Sequence, residues 1–174
     1  HANMFLISRV LELHDKDKFE LYGYSFGPVI KDEMYIKSKK IFKHFREIQN
    51  ISDSEVKSIV LKDKIDIAID LVGYAQYNRT NLFFSRLAPI QINYLGYPAT
   101  MGSNVFDYII ADKTIIPISH KKYYNEEVLY LPHTYQATNN KRKISPNKFT
   151  KEDCALPKNS FVFCCFNNNY KITE

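Results

Sequence analysis

Apolar positions along the chain follow two alternating periods. In residues 3–14 and after Ser52 they recur at the spacing of one helix face, and Ser52 with Glu55 three residues later is a capping signal for a helix start. In residues 19–26 and 65–71 the side chains are rich in aromatic or β-branched types and the runs end close to glycines, as is typical of strands. This alternation of helix and strand predicts an α/β fold with a parallel, doubly wound sheet.

Residues 88–112 contain two further apolar runs, 89–95 and 105–111, which we interpret as strands. Between them, residues 96–102 include two glycines and one proline, a composition that suits a tight loop with an exposed backbone. In open α/β sheets, the loops at the carboxyl ends of strands line the ligand crevice. This loop is therefore the first candidate for substrate contact.

The remaining elements of the first part are shorter. Residues 31–40 are strongly charged, and both a short helix and a loop fit them. We predict a short strand at residues 41–48, a short helix at 81–87 and a strand at 127–131.

Beyond residue 131 the pattern indicates a change of domain. Residues 132–159 are polar and turn-rich, as in a connector, whereas the apolar run at residues 161–166 (FVFCCF) is typical of a buried strand. We therefore predict three parts: residues 1–131, a Rossmann-like half that is incomplete at its start; residues 132–159, a connector; and residues 160–174, the start of a second half. Because the chain opens on His1 and stops soon after that strand, we expect it to be a fragment.

Composition narrows the class of protein. With 174 residues, 45% of them hydrophobic, the chain can fill a real core, which excludes a disordered protein. It has no run near the roughly 18 apolar residues that span a membrane, and its three clustered cysteines fit a reducing, cytoplasmic setting. The net charge of +5 comes from scattered lysines, which indicates a solvated surface rather than a nucleic-acid footprint.

A few residues have the chemistry of a functional site. Lys171, just past the last apolar run, lies where α/β folds place phosphate-binding groups, although a surface lysine is the commoner case. His1 could act as a base, with a terminal histidine that has no role as the alternative. Asp70, at a strand end, suits either catalysis or capping of the strand exit. No dinucleotide, P-loop or hydrolase fingerprint occurs, and no spacing of ligand residues predicts a metal site.

Several longer motifs, in one order and covering nearly the whole chain, point to a family. They are His1-Ala2, HDKDKFELYGYS (14–25), DKIDIAIDLVGY (63–74), RLAPIQINYLGYPATMG (86–102), FDYIIAD (106–112), YLPHTYQ (130–136) and FVFCCFNNNYKIT (161–173). With these motifs the chain resembles the catalytic region of the O-linked N-acetylglucosamine transferases, glycosyltransferase family 41, and most of all the bacterial branch of that family.

The resemblance implies a GT-B architecture, in which two Rossmann-like domains face each other across a cleft. This chain would hold most of the first domain and the opening strand of the second, nucleotide-binding one. The implied reaction is inverting transfer of N-acetylglucosamine from UDP-GlcNAc to Ser or Thr hydroxyls of proteins, without metal or cofactor, by an enzyme that carries tetratricopeptide repeats upstream. The isolated fragment would be inactive, because most of the uridine site lies in the second domain. A related O-fucosyl or other sugar transferase and a non-catalytic scaffold are the alternatives.

The resemblance also assigns roles to particular residues. His1 corresponds to the family's active-site histidine, a base or an acceptor-positioning group. Three residues at the end of the predicted strand 89–95 and in the glycine-bearing loop correspond to the segment beside the sugar: Leu95, Gly96 and Pro98. On the nucleotide side, the matches to a nucleotide-contacting position, an active-site tyrosine and the diphosphate-binding lysine are Asn168, Tyr170 and Lys171.

The chain departs from the family's pattern at a few positions. The usual Pro-Gly-Thr is Pro98-Ala99-Thr100 here, which is tolerable only if the backbone does not need a positive φ at Ala99. A usual threonine is replaced by Ala75 and a usual glutamine by Asn168. These differences keep a fucose donor as the alternative, whereas Tyr170 favours N-acetylglucosamine.

Overall fold

The computed structural model describes residues 2–166 of the chain. They fall into two compact units, which divide between Asn140 and Lys141. No helix among the described residues is long and apolar enough to cross a membrane.

The first unit opens with two helices and two strands that alternate along the chain: α1 (Ala2–Leu13), β1 (Tyr22–Ser25), α2 (Glu33–Ile41) and β2 (His44–Glu47). The strands are parallel, with Tyr22 opposite His44 and their rings stacked at a centroid distance of 4.4 Å. The charged segment that fits both helix and loop is a helix, because the Asp32 side chain accepts a hydrogen bond from the Tyr35 backbone N–H and caps its first turn.

Helix α3 (Asp53–Asp63) confirms the capping signal found in the sequence. The Ser52 hydroxyl accepts a hydrogen bond from the Glu55 backbone N–H, and the Glu55 carboxylate accepts one from the Ser52 N–H. The helix buries Val56 and Val60 on one face. The left-handed residue Lys64 ends the helix and turns the chain into the next strand.

A second sheet of four parallel strands follows: β3 (Ile67–Asp70), β4 (Ile90–Asn93), β5 (Tyr108–Ala111) and β6 (Glu127–Tyr130), hydrogen-bonded in that order. Two 3-10 helices lie in its connections, Thr80–Ser85 between β3 and β4 and Ile118–Tyr123 between β5 and β6. Asp70 is opposite Asn93 in the register, so the carboxyl ends of these strands meet at one edge of the sheet. The predicted parallel α/β fold is confirmed.

The main core lies between this sheet and the elements that cover it. Its buried residues come from the end of β2, α3, the first 3-10 helix and the segments around β4 and β5: Ile48, Val56, Val60, Leu82, Phe83, Leu87, Met101 and Phe106. Gln91 is completely buried beside this core, and each of its polar atoms is used. Its amide donates to the Phe83 and Val105 carbonyl oxygens, and its oxygen accepts from the Leu87 N–H, so burial leaves no polar group unpaired.

The parallel strands form two sheets where the sequence predicts one. Strands β1 and β3 are not hydrogen-bonded to each other. Residues of both strands, together with apolar residues such as Ile7, Val60 and Leu82, line a cavity of about 420 Å³. The hydrophobic pattern of a strand does not specify which strand lies beside it, and Ile67 and Ile69 of β3 stay 45% and 47% exposed.

The second unit corrects one prediction. Residues 161–166 are not a strand, and three phenylalanines of this run are largely exposed: Phe161 by 82%, Phe163 by 91% and Phe166 by 98%. A buried strand requires a neighbouring strand to pair with its backbone and apolar groups to cover its faces. The described part of the chain supplies neither to this run, so its apolar composition alone does not make it a strand.

Candidate functional site

The candidate site lies at the carboxyl ends of β3 and β4, where the chain forms two loops that pack on each other. The loop after β4, residues 94–102, is called here the shelf loop. It contains the segment that the sequence singled out for substrate contact. The loop after β3 carries Gly73 and Tyr74 and packs beneath it.

Two glycines bring these loops into close backbone contact. A Cβ at Gly96 would overlap the Leu71 carbonyl oxygen, and a Cβ at Gly73 would overlap the side chain of Tyr97. Gly73 also has a φ of +58°, in the region that favours glycine. Asn3, at the start of α1, donates a side-chain hydrogen bond to the same Leu71 oxygen. The shelf loop is therefore packed directly on the end of β3 and on α1.

Polar side chains hold the shelf loop in its middle and at its far end. In the middle, Asn93 is fully buried and its amide donates to the carbonyl oxygens of Tyr97 (3.0 Å) and Ala99 (3.2 Å). At the far end, the Tyr74 hydroxyl donates to the Met101 carbonyl oxygen (2.9 Å). The Tyr74 ring also meets the Tyr97 ring edge-on at 5.5 Å. The loop is thus preorganised by the protein rather than left to order on a ligand.

Asp70 caps the exit of β3. Its carboxylate accepts hydrogen bonds from the backbone N–H groups of Val72 (2.9 Å) and Gly73 (3.2 Å), and the residue is 4% exposed. Burial raises the pKa of this carboxyl above its ordinary value, more than those hydrogen bonds lower it. Of the two readings that the sequence leaves open, the structure supports the cap.

The shelf loop presents its predicted residues in different ways. Pro98 is exposed and Gly96 is half-buried, so both are accessible from the sheet edge. Leu95 is only 5% exposed and packs with Ile7 and Tyr94, and its φ is +78°. Its side chain therefore supports the loop from behind, while its backbone turns the chain outward.

Ala99 replaces a glycine of the family's motif, which is tolerable only if its backbone φ is not positive. It is not among the residues with a positive φ, so its methyl group does not strain the loop. The departure from the family's glycine is therefore compatible with the loop's conformation.

The other predicted site residues lie outside the described residues. These are His1, Asn168, Tyr170 and Lys171. Among the residues that are described, no group of three or more His, Cys, Asp or Glu side chains is placed to hold a metal ion. Asp15 and Asp17, the acidic pair after α1, form a local turn in which the Asp15 carboxylate accepts from the Asp17 N–H (3.1 Å).

Sequence reasoning missed three residues that support the shelf loop: Asn93, Tyr74 and Glu126. Asn93 ends an apolar strand, and Tyr74 follows a glycine, which are positions where polar anchors are common. Glu126 gives no local signal, because its contacts with Thr100 and Met101 cross about 25 residues of chain. Only the folded sheet brings β6 beside the shelf loop.

A parallel α/β sheet with a glycine-containing loop at the carboxyl ends of its strands defines a Rossmann-like domain, a class whose ligands lie at that edge of the sheet. The comparisons with known proteins narrow this class. The model of glycosyl transferase family 41 matches residues 1–151 of the chain. The chain belongs to that family.

Individual relatives agree with this assignment. The chain is 31% identical, over 99% of its length, to the probable UDP-N-acetylglucosamine–peptide N-acetylglucosaminyltransferase SEC of Arabidopsis thaliana, and covers 18% of that protein. It is 30% identical over 78% of its length to a Caenorhabditis elegans UDP-N-acetylglucosamine–peptide N-acetylglucosaminyltransferase, covering 12% of it. A solved structure of a mutant Thermobaculum terrenum O-GlcNAc transferase matches with a TM-score of 0.75 and 28% identity, over 78% of this chain and 26% of that one. The chain thus spans less than a fifth of the length of these two curated relatives.

Proposed function

We propose that the chain is part of the catalytic region of an inverting glycosyltransferase that moves N-acetylglucosamine from UDP-GlcNAc to Ser or Thr hydroxyls of proteins. One observation carries the proposal. The motif segment that corresponds to the sugar side of the family's site forms the shelf loop, preorganised at the carboxyl ends of β3 and β4. Membership of family 41 and the named activities of the relatives support it.

The proposed mechanism divides the work between two sides of a cleft. The shelf loop, with Gly96 and Pro98 accessible and Leu95 behind them, would bound the sugar. When the bond from sugar to phosphate breaks, negative charge develops on the departing diphosphate. The Lys171 ammonium would stabilise that charge, and no metal or other cofactor is assigned to the task.

The remaining roles follow the family motifs. His1 would act as the base or would position the acceptor hydroxyl. Asn168 would contact the nucleotide, and Tyr170 would lie beside Lys171 in the active site. The complete protein would include a second Rossmann-like half in a GT-B arrangement and tetratricopeptide repeats upstream, and it would act on cytoplasmic proteins rather than on nucleic acids or membranes.

Replacing Lys171 by methionine in the complete protein tests the proposal. We expect Lys171→Met to abolish transfer from UDP-GlcNAc to an acceptor peptide while the thermal unfolding midpoint stays unchanged. The matched control is Lys62→Met, because Lys62 is an exposed lysine in the last turn of α3. Near-normal turnover by Lys171→Met would reject the assigned role.

Donor competition tests the sugar. Asn168 and Ala75 replace the family's usual residues, which keeps an O-fucosyl transferase as the second candidate. If the proposal is right, unlabelled UDP-GlcNAc suppresses labelled transfer by the complete protein and GDP-fucose does not. The reverse result would move the assignment to the fucose branch, and partner binding without any sugar transfer would indicate a scaffold.

A further inference from the structure

We infer that Glu126 is a positioning residue that fixes the far end of the shelf loop against β6 and so sets the protein's affinity for the sugar part of its donor. The inference rests on the proposed function. Glu126 immediately precedes β6 and is 2% exposed. It lies in the sheet support of the loop and not on the exposed surface that a substrate would meet.

Both carboxylate oxygens of Glu126 are used to hold the loop. One oxygen accepts a hydrogen bond from the Thr100 hydroxyl at 2.8 Å, and the other accepts from the Met101 backbone N–H at 2.7 Å. No lysine or arginine of the described chain forms an ion pair with Glu126. A buried carboxylate in this position depends on those two donors for its solvation. The loop and the carboxylate therefore hold each other in place.

Thr100 and Met101 extend this support to neighbouring segments. The Thr100 oxygen also accepts from the Gly102 N–H (3.1 Å) and the Asn125 N–H (3.4 Å). The Met101 peptide is held from the other side by the Tyr74 hydroxyl. The far end of the shelf loop is thus connected to β6 and to the loop after β3 at once.

The exposed residue Pro98 lies next to two anchors. Asn93 holds the carbonyl oxygens of Tyr97 and Ala99 on either side of it, and Glu126 holds the two residues that follow Ala99, Thr100 and Met101. If Glu126 is removed, Thr100 loses its link to β6 and Met101 keeps only the Tyr74 contact, so the C-terminal side of the segment bearing Pro98 can shift. A displacement of about 1 Å is enough to lower catalytic efficiency on the order of 10²-fold.

The test uses the complete protein and compares UDP with UDP-GlcNAc as ligands. Glu126→Ala should weaken UDP-GlcNAc binding at least about tenfold and leave the Kd of UDP unchanged, because the proposed function places the sugar, and not the nucleotide, against the shelf loop. Glu126→Gln should restore binding, since its amide oxygen still accepts from Met101 and its NH₂ group can donate to Thr100. A general loss of stability would weaken the binding of UDP and UDP-GlcNAc equally, and Glu126→Gln would not restore UDP-GlcNAc binding selectively.

A neighbouring carboxylate provides the matched control. Glu127 is exposed and pairs with Lys121 at 2.6 Å, without a contact to the shelf loop, so Glu127→Ala should leave both affinities unchanged. If Glu126→Ala does not fold, Thr100→Val removes one of the two bonds to the carboxylate at nearly constant volume and should show a smaller loss of the same kind. An unchanged ratio of UDP to UDP-GlcNAc affinity in the folded Glu126→Ala or Thr100→Val protein overturns the inference. A wild-type protein that binds UDP-GlcNAc no better than an unrelated nucleotide sugar would instead overturn the proposed function.

Discussion

Replacing Gly96 by alanine tests whether direct backbone packing holds the shelf loop. A Cβ at this position would overlap the Leu71 carbonyl oxygen and would lie 2.8 Å from the Asn3 side-chain nitrogen. Gly96 does not have a positive φ, so alanine can adopt its backbone conformation. The effect of the substitution therefore comes from the lack of space alone.

The size of the effect follows from the nature of the obstacle. A backbone carbonyl at the end of β3 cannot swing aside as the end of a long side chain can. Overpacking of this kind costs about 1–3 kcal/mol. In a domain of this size each kcal/mol lowers the Tm by about 2–4 °C, so we expect the Tm of Gly96→Ala to fall by roughly 2–12 °C. Because relief of the overlap moves the loop away from Leu71, the KM for the donor should rise as well.

Gly102, in the same loop, is the control. A side chain there has space but requires an unfavourable backbone conformation, whereas at Gly96 the backbone conformation is favourable and space is lacking. Gly102 has a φ of +64° and nothing within 4 Å of where a Cβ would be. Gly102→Ala should therefore cost about 1–2 kcal/mol through backbone strain, and Gly102→Asn should cost less because asparagine tolerates the left-handed region. At Gly96, asparagine should be no better than alanine.

The assay is thermal unfolding of the complete protein together with steady-state donor kinetics for each variant. The expected pattern is a lower Tm and a higher donor KM for both substitutions at Gly96, with recovery by asparagine only at Gly102. A Gly96→Ala protein within about 1 °C of the wild-type Tm, with an unchanged donor KM, would show that the packing against Leu71 does not constrain the loop.

Two carboxylates, the partly buried Asp63 and the buried Asp70, should give stability changes of opposite sign when the pH is varied. Burial raises the pKa of Asp63, but its hydrogen bonds from Arg46 (2.7 Å) and Tyr24 (2.6 Å) outweigh this and hold the pKa below its ordinary value. The ionised Asp63 carboxylate stabilises the folded protein at pH values above about 3.9, its pKa in the unfolded chain, and this stabilisation is lost as the pH falls through its lower pKa in the folded protein. Asp63→Asn should therefore cost about 1–2 kcal/mol at pH 7, and the difference should vanish in acid. Burial raises the pKa of Asp70, so its ionised form lowers stability above that pKa; Asp70→Asn should be at least as stable as wild type at pH 7, with any advantage disappearing as pH falls. Urea unfolding from pH 3 to pH 8 measures both, and a shift of the two variants in the same direction at pH 7 would contradict this assignment.

The sequence predicted those elements whose signals are local. Helix α3 follows from Ser52 and Glu55, which cap it across one turn. The strands follow from short β-branched runs, and the parallel arrangement follows from their alternation with helices. The motif between β4 and β5 is evident from the sequence alone, because glycine and proline indicate backbone requirements directly.

The limits of prediction appear where a local pattern depends on distant partners. Residues 81–87 have the pattern of a short helix, but the segment forms a 3-10 helix that places Phe83 and Leu82 in the core. The run at residues 161–166 has the composition of a strand and is exposed. In both cases the apolar side chains are evident from the sequence, whereas the conformation depends on what they pack against.

By itself, then, the sequence determined the family, the parallel α/β class and the location of the shelf loop, because capping, periodicity and glycine content act within a few residues. The tertiary structure decided how the loop is held. Gly96 meets Leu71, Tyr74 reaches Met101, and Glu126 binds Thr100 and Met101, each across a gap of more than 20 residues of chain. These contacts exist only because parallel strands bring their carboxyl ends to one edge of the sheet. No local sequence pattern encodes a contact between residues that are so far apart along the chain.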